Sequence, residues 1–210
     1  MFSKRIASLA LCILMLMTMI VIPVSSASAS QVDLSQTADN AKGYNLPTDV
    51  HNGNILHAFN WKLKEVTQYA QEIAEAGYTA VQVSPIQCTK DTTNDGAYSN
   101  DWWCFYQPTD LAIGNELGNE ADLIEMCDTL DDYGIKVIVD AVLNHTANNN
   151  TGNTVSYMVP DDLKNDSSCW HDISKNSWYE SRWDITQFCM EGIPDLNTGN
   201  DNVQAAVVSL

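Results

Sequence analysis

The chain has 210 residues, 45% of them hydrophobic and 18% charged, and its 27 acidic residues against 10 basic ones give a formal charge of −17. That apolar fraction is ample for a packed core and excludes a disordered polyelectrolyte. The shortage of Lys and Arg excludes a surface that tracks the phosphates of nucleic acid or the headgroups of an anionic membrane.

Residues 1–29 read as an export signal. Lys4 and Arg5 form a positive start, Ile6 to Val24 is almost unbroken apolar sequence, and Ala27-Ser28-Ala29 offers a small-residue cleavage site. A retained membrane anchor is the competing reading, because the apolar run approaches the length of a span. The cleavage site and the polar sequence after it favour removal, which implies a secreted, extracellular protein with no membrane partner. The signal carries no acidic residue, so losing Lys4 and Arg5 takes the formal charge from −17 to −19. A neutral, hydroxyl-rich substrate suits such a balance, although acidity by itself only favours solubility.

Residues 30–49 are polar and aperiodic and read as a flexible leader. From there the pattern alternates. A short apolar strand is predicted over 55–60, then a helix through Leu63, Val66, Ala70, Ile73 and Ala74 that stops at Gly77. A second strand follows over 79–84, an Asn/Asp/Gly-rich loop runs to about Gly118, a helix spans about 119–133 before Gly134, and a third strand covers 136–142. Strand, helix, strand, helix, strand, with continuous apolar strands such as Val137-Ile138-Val139, predicts βα units and a parallel sheet covered by helices. An open doubly wound sheet and a (β/α) barrel both satisfy this pattern. No Gly-x-Gly-x-x-Gly turn or phosphate loop follows any strand, which weakens the nucleotide-binding form of the open sheet. The stretch that follows, about fifty residues without clear periodicity, is predicted to be an inserted subdomain, and a further helix starts near Asn200.

Cys12 leaves with the signal, so Cys88, Cys104, Cys127, Cys169 and Cys189 form an odd set in an oxidising compartment. Cys127 lies on the stripe Leu123, Met126, Cys127, Leu130, a buried helix face, and is expected to stay reduced. Pairing within each loop, Cys88 with Cys104 and Cys169 with Cys189, is the economical expectation. Zinc ligation is the rival, but no Cys-x-x-Cys supports it.

Four segments in order carry a family resemblance. Val139-Asp140-Ala141-Val142-Leu143-Asn144-His145 resembles the first signature of the α-amylase family, glycoside hydrolase family 13. Gly192-Ile193-Pro194-Asp195-Leu196-Asn197 is similar to a later signature of that family. The strand from Gly77 to Pro85 and the segment from Trp102 to Pro108 also match, closest to its animal-like branch. The resemblance implies a (β/α)8 TIM barrel of which 50–210 supplies the N-terminal part, about the first three βα units, with residues 146–197 as an inserted calcium-binding subdomain. Barrel residues just beyond the strand ends face the substrate.

Residue by residue, the resemblance makes Asn144 and Asp195 ligands of Ca2+, a hard cation that takes amide and carboxylate oxygens. It makes His145 a hydrogen-bonding partner of the sugar, Asp140 a support for the catalytic acids, and Trp103, Tyr106 and Gln107 the lining of glucose subsites, where aromatic faces cover the apolar side of a pyranose. Trp102 is expected only to pack its loop. The implied reaction is retaining hydrolysis of internal α-1,4-glucosidic bonds in starch or another α-glucan, by a protein that is a monomer when complete. The carboxylate nucleophile and acid of that chemistry fall on barrel strands later than those matched, so no residue here is assigned to catalysis. The chain as given is expected to be inactive alone. A non-catalytic secreted glucan-binding protein, or a related α-glucan hydrolase or transglycosylase, is the alternative.

Overall fold

The computed structural model describes residues 42, 44, 46–90, 102–149 and 152–210, all of which fall in one compact unit, Ser35–Leu210. The predicted signal, most of the leader, and residues 91–101 lie outside the described residues.

The first strand, β1 (Ile55–Ala58), pairs in parallel with β2 (Ala80–Val83), Ile55 opposite Ala80. Two short helices join them, α1 (Leu63–Gln68) and α2 (Ala70–Glu75), nearly continuous but broken at Tyr69. The predicted single helix is therefore interrupted at one residue, and its apolar stripe still faces one way: Leu63, Val66, Ala70, Ile73 and Ala74 are all buried. Gly77, at φ +82°, ends it in the left-handed conformation that a Cβ disfavours.

After β2 the chain makes an antiparallel excursion. Strand β3 (Gln87–Thr89) pairs with β4 (Pro108–Asn115), which pairs with β5 (Gly118–Asn119). This corrects the predicted loop. Strand β4 opens with Pro and contains Asp and Gly, so it lacks the β-branched alternation that marks a strand. Its partner β3 comes from well before it in sequence. The turn at Gly118 sits tightly on α1: Leu63 Cδ1 lies 2.8 Å from where a Cβ would stand, so any side chain there would collide.

Helix α3 (Glu120–Asp132) starts with a reciprocal cap, in which Asn119 Oδ1 accepts from the Asp122 amide at 3.0 Å and Asp122 Oδ2 accepts from the Asn119 amide at 3.2 Å. It ends before Gly134, at φ +75°, and leads into β6 (Lys136–Val139), parallel to β2 with Ala80 opposite Lys136. The parallel sheet thus runs β1-β2-β6. Between sheet and helices lies the main core, in which Met126 and Leu130 from α3 meet Val66 and Ile73 and the β2 side chains Val81 and Val83. Burying each large aliphatic side chain contributes about 1.5–3 kcal/mol.

Beyond β6 regular structure thins out. Helix α4 (Asp161–Lys164), strand β7 (Asp172–Asn176), helix α5 (Arg182–Gln187) and strand β8 (Phe188–Cys189) are short, with β7 and β8 parallel. A smaller core gathers Val159, Leu163, Cys169, Trp170 and Leu196, with Val203 from α6 (Asp201–Val208). Among the described residues no helix is long and apolar enough to cross a membrane.

Candidate functional site

The site is built where the chain leaves β6. The predicted third strand ends at Val139 rather than Val142: the Asp140 N–H still reaches the Val83 carbonyl at 3.3 Å, but Val142 takes a side chain as its partner. Gln87 is fully buried, and its amide spans the Val142 main chain: Oε1 accepts the Val142 N–H at 2.9 Å while Nε2 donates to the Val142 carbonyl. One side chain thereby stands in for a neighbouring strand and fixes the run Asp140 to His145. Sequence reasoning missed Gln87, since a lone Gln in a loop has no signature.

Trp102–Tyr106 forms a 3-10 turn that delivers its aromatics to this run. The Tyr106 hydroxyl donates to Asp140 Oδ2 at 2.9 Å. Burial, then the hydrogen bond and charge of Asp140, push the Tyr106 phenol up to about 12. The main-chain carbonyl of Tyr106 meets His145 Nε2 at 2.9 Å. A carbonyl only accepts, so Nε2 carries a proton, and in the neutral tautomer with that proton Nδ1 is an acceptor. That Nδ1 is buried without a hydrogen-bond partner, and so is Oε1 of Gln107, the residue next to the Tyr106 carbonyl. Two orphaned acceptors joined through one peptide group are costly unless something else supplies donors.

Trp103 is half-buried. Trp102, expected only to pack, is instead the more open of the two: it is 54% exposed, edge-on to Tyr106 at 5.9 Å and tilted against Phe59 at 6.2 Å. The structure therefore presents Trp102 and Phe59, along with the predicted side chains, at the strand ends.

The second predicted group also comes together across 51 residues of sequence. Asn144 Nδ2 donates to Asp195 Oδ1 at 2.6 Å. Main-chain bonds lock the pair, from Leu196 N–H to the Asn144 carbonyl at 2.9 Å and from Thr146 N–H to the Pro194 carbonyl at 3.1 Å. Asn144 is exposed, whereas Asp195 is only 3% exposed. Burial pushes the Asp195 carboxyl above its ordinary range, and His171 and Asn144 partly offset this. Sequence reasoning did not find His171, whose Nδ1 faces Asp195 Oδ2.

The residue types suit a hard cation, a buried carboxylate that gains from a positive charge and an amide beside it, and Asn144 would turn its amide oxygen to the ion in place of the Nδ2 that faces Asp195 here. Among the described residues no group of three or more His, Cys, Asp or Glu side chains could hold a metal. A calcium here would complete its shell with main-chain oxygens and water, as calcium sites commonly do.

The cysteines depart from expectation. Neither the Cys88–Cys104 nor the Cys169–Cys189 bridge is formed in this structure. The latter two thiols point to separate acceptors, Cys169 to Asn200 Oδ1 and Cys189 to the Ile173 carbonyl, each at 3.7 Å. Cys127 packs against the main core.

Comparison with known proteins gives a consistent result. The family described as alpha amylase, catalytic domain, matches residues 48–210. An alpha-amylase from Clostridium acetobutylicum is 41% identical over 165 residues, covering 78% of this chain and 21% of the relative. One from Butyrivibrio fibrisolvens is 38% identical over 160 residues, covering 74% of this chain and 16% of the relative. The chain thus spans about a fifth of the length of these relatives. Among solved structures, a variant of alpha-amylase I from Eisenia fetida in complex with maltohexaose superposes with a TM-score of 0.63 at 22% identity, over 75% of this chain and 34% of that one. An alpha-amylase from Geobacillus thermoleovorans complexed with acarbose gives 0.58 at 20% identity, over 75% of this chain and 36% of that one. At such identities the likeness speaks for the fold, a TIM barrel, of which this chain's parallel strands form part.

Proposed function

From the premise that this chain belongs to the alpha-amylase catalytic domain family, we propose that it is part of a secreted, calcium-binding α-amylase that cleaves internal α-1,4 bonds of starch or a related glucan with retention of configuration. The observation that carries the reading is the pair of buried, unpartnered polar atoms, His145 Nδ1 and Gln107 Oε1, next to the turn that carries the exposed Trp102 ring. A glucose unit supplies both complements, hydroxyl donors for the acceptors and an apolar ring face for the aromatics. The maltohexaose and acarbose bound by the Eisenia and Geobacillus proteins are the kind of ligand this chemistry takes.

In this reading His145 and Gln107 accept hydrogen bonds from sugar hydroxyls. Tyr106 holds Asp140 by donating to it, and the Trp102–Tyr106 turn, with Trp103, walls the subsite. Asn144 and Asp195 hold the calcium, whose positive charge would offset the buried carboxylate and tie residues 146–197 to the end of β6. No carboxylate described here takes the part of nucleophile or general acid, which the family resemblance places on later barrel strands. The export signal and extracellular location belong to the same proposal and rest on residues 1–29.

The test uses the full-length protein with calcium, assayed for reducing ends released from soluble starch. Gln107→Leu and His145→Leu are each expected to lower kcat/KM about tenfold, the worth of a lost hydrogen bond to substrate. The melting temperature should hold or rise in Gln107→Leu, since an unpaired buried acceptor is removed, and fall in His145→Leu, which also takes the donor from the Tyr106 carbonyl. No release of reducing ends by the unsubstituted protein, or variants as active as it, would overturn the reading.

A further inference from the structure

Asp195 is gripped from two sides, and only one of them belongs to the predicted ligand pair. On one side lies Asn144, on Oδ1. On the other lies His171, whose Nδ1 faces Oδ2 and whose main-chain N–H donates to the Asp195 carbonyl at 3.1 Å. The next residues continue this contact as an antiparallel bridge between Trp170 and Leu196.

The imidazole is itself firmly placed. Trp170 is 8% exposed and its Nε1 donates to the Leu163 carbonyl at 2.9 Å. Cys169 is fully buried, and its carbonyl accepts the Asn197 N–H at 2.8 Å. His171 is thus held by the small core before and after Asp195, and its ring is fixed relative to the carboxylate. A carboxylate without such a partner swings about its terminal torsion, which is broad and soft.

We propose that His171 is a positioning residue for the calcium site: its Nδ1–H takes Asp195 Oδ2 and sets the roll of the carboxylate, which keeps Oδ1 toward Asn144, where the cation would be held once the Asn144 amide turns its oxygen inward. The inference rests on the calcium reading above and deepens it. A histidine that orients a ligating carboxylate acts as outer-shell partners generally do, and loss of such a partner commonly weakens metal affinity about 10–100-fold. The hydrogen bond comes from the ring nitrogen nearer the main chain, so a shorter amide can replace it. Asparagine carries a donor at about the place of Nδ1, whereas glutamine carries it one methylene further out.

The experiment is competition for calcium between a fluorescent chelator and the full-length protein, unsubstituted or carrying His171→Ala, His171→Asn or His171→Gln, with the melting temperature of each calcium-free protein measured in parallel. The expected result is that Ala and Gln weaken calcium binding about 10–100-fold and lower the calcium-free melting temperature, because the buried Asp195 Oδ2 loses its partner, and that Asn restores most of both. If His171→Ala fails to fold, the contrast between Asn and Gln carries the same information. Unchanged affinity in Ala and Gln, or a loss that Asn does not restore, would overturn the positioning role while leaving the calcium site standing. Absence of calcium binding by the unsubstituted protein would overturn both.

Discussion

The region around the parallel sheet and the region from residue 146 to 197 are held together by different physics. Around the sheet, aliphatic faces of α1, α2 and α3 close on β2, and Val66, Ala58, Met126 and Leu130 are completely excluded from solvent. In the later region the elements are shorter and the core smaller, and the chain is tied by isolated bridges such as His145 to Asp195 and Asn148 to Val155 and by side chains that cap main-chain groups. Asp184 shows the second style. Its Oδ2 accepts from the Ser177 hydroxyl at 2.7 Å and from the Trp178 and Glu180 amides at 2.8 and 3.3 Å, and these bonds, the Ser177 hydroxyl first, hold its carboxyl below the usual range. Burial of area is non-directional and tolerates an interrupted helix, whereas a polar tie works only at one geometry. The candidate site lies where the two styles meet, on residues that leave the sheet and are then pinned by polar groups.

The comparison can be broken most directly by emptying the sheet core. Leu130→Ala is expected to cost about 2–5 kcal/mol, read as a lower urea midpoint for the full-length protein. A cost below that of a surface substitution would mean the helix layer is not what stabilises the sheet.

Next in size is Gln87→Ala, which leaves the Val142 N–H and carbonyl without their partner inside the protein. A loss of about 1–3 kcal/mol is expected, together with weaker glucan binding because the Asp140 to His145 run loses its guide. Stability loss with unaltered KM would confine Gln87 to a structural role.

A smaller effect is expected at the start of α3, where Asn119→Ala removes the reciprocal cap and should cost about 1 kcal/mol without altering activity. Any fall in kcat would contradict the separation drawn between scaffold and site.

The smallest effect is the pH response of Tyr106. Its phenol ionises at about 12 in the folded protein against 10.0 for the free group, so the unfolded chain loses this proton first as pH rises. The stabilisation is fully present below pH 10 and is lost as pH climbs toward 12. Tyr106→Phe should therefore flatten the fall in melting temperature over that window. An identical slope in both proteins would show that neither burial nor Asp140 holds the phenol proton.

Much of the sheet region was legible in sequence because its signals are local. The stripe from Leu63 to Ala74 and the apolar run Val137-Ile138-Val139 each write their structure within a few residues, and Gly77 and Gly134 mark ends that few other residues tolerate. Motif resemblance further picked out Asn144 and Asp195, Tyr106 and His145, and the fold does bring each of these pairs together. Tertiary structure alone decided the rest. The β3–β4 hairpin, the Gln87 bracket on Val142, the exposure of Trp102, the separate thiols of Cys169 and Cys189, and the His171 contact with Asp195 all join residues distant in sequence. Their energy comes from satisfying particular polar groups or from the direction a side chain takes after the chain has folded. A linear pattern records which residues want burial, but not which buried donor will find which acceptor.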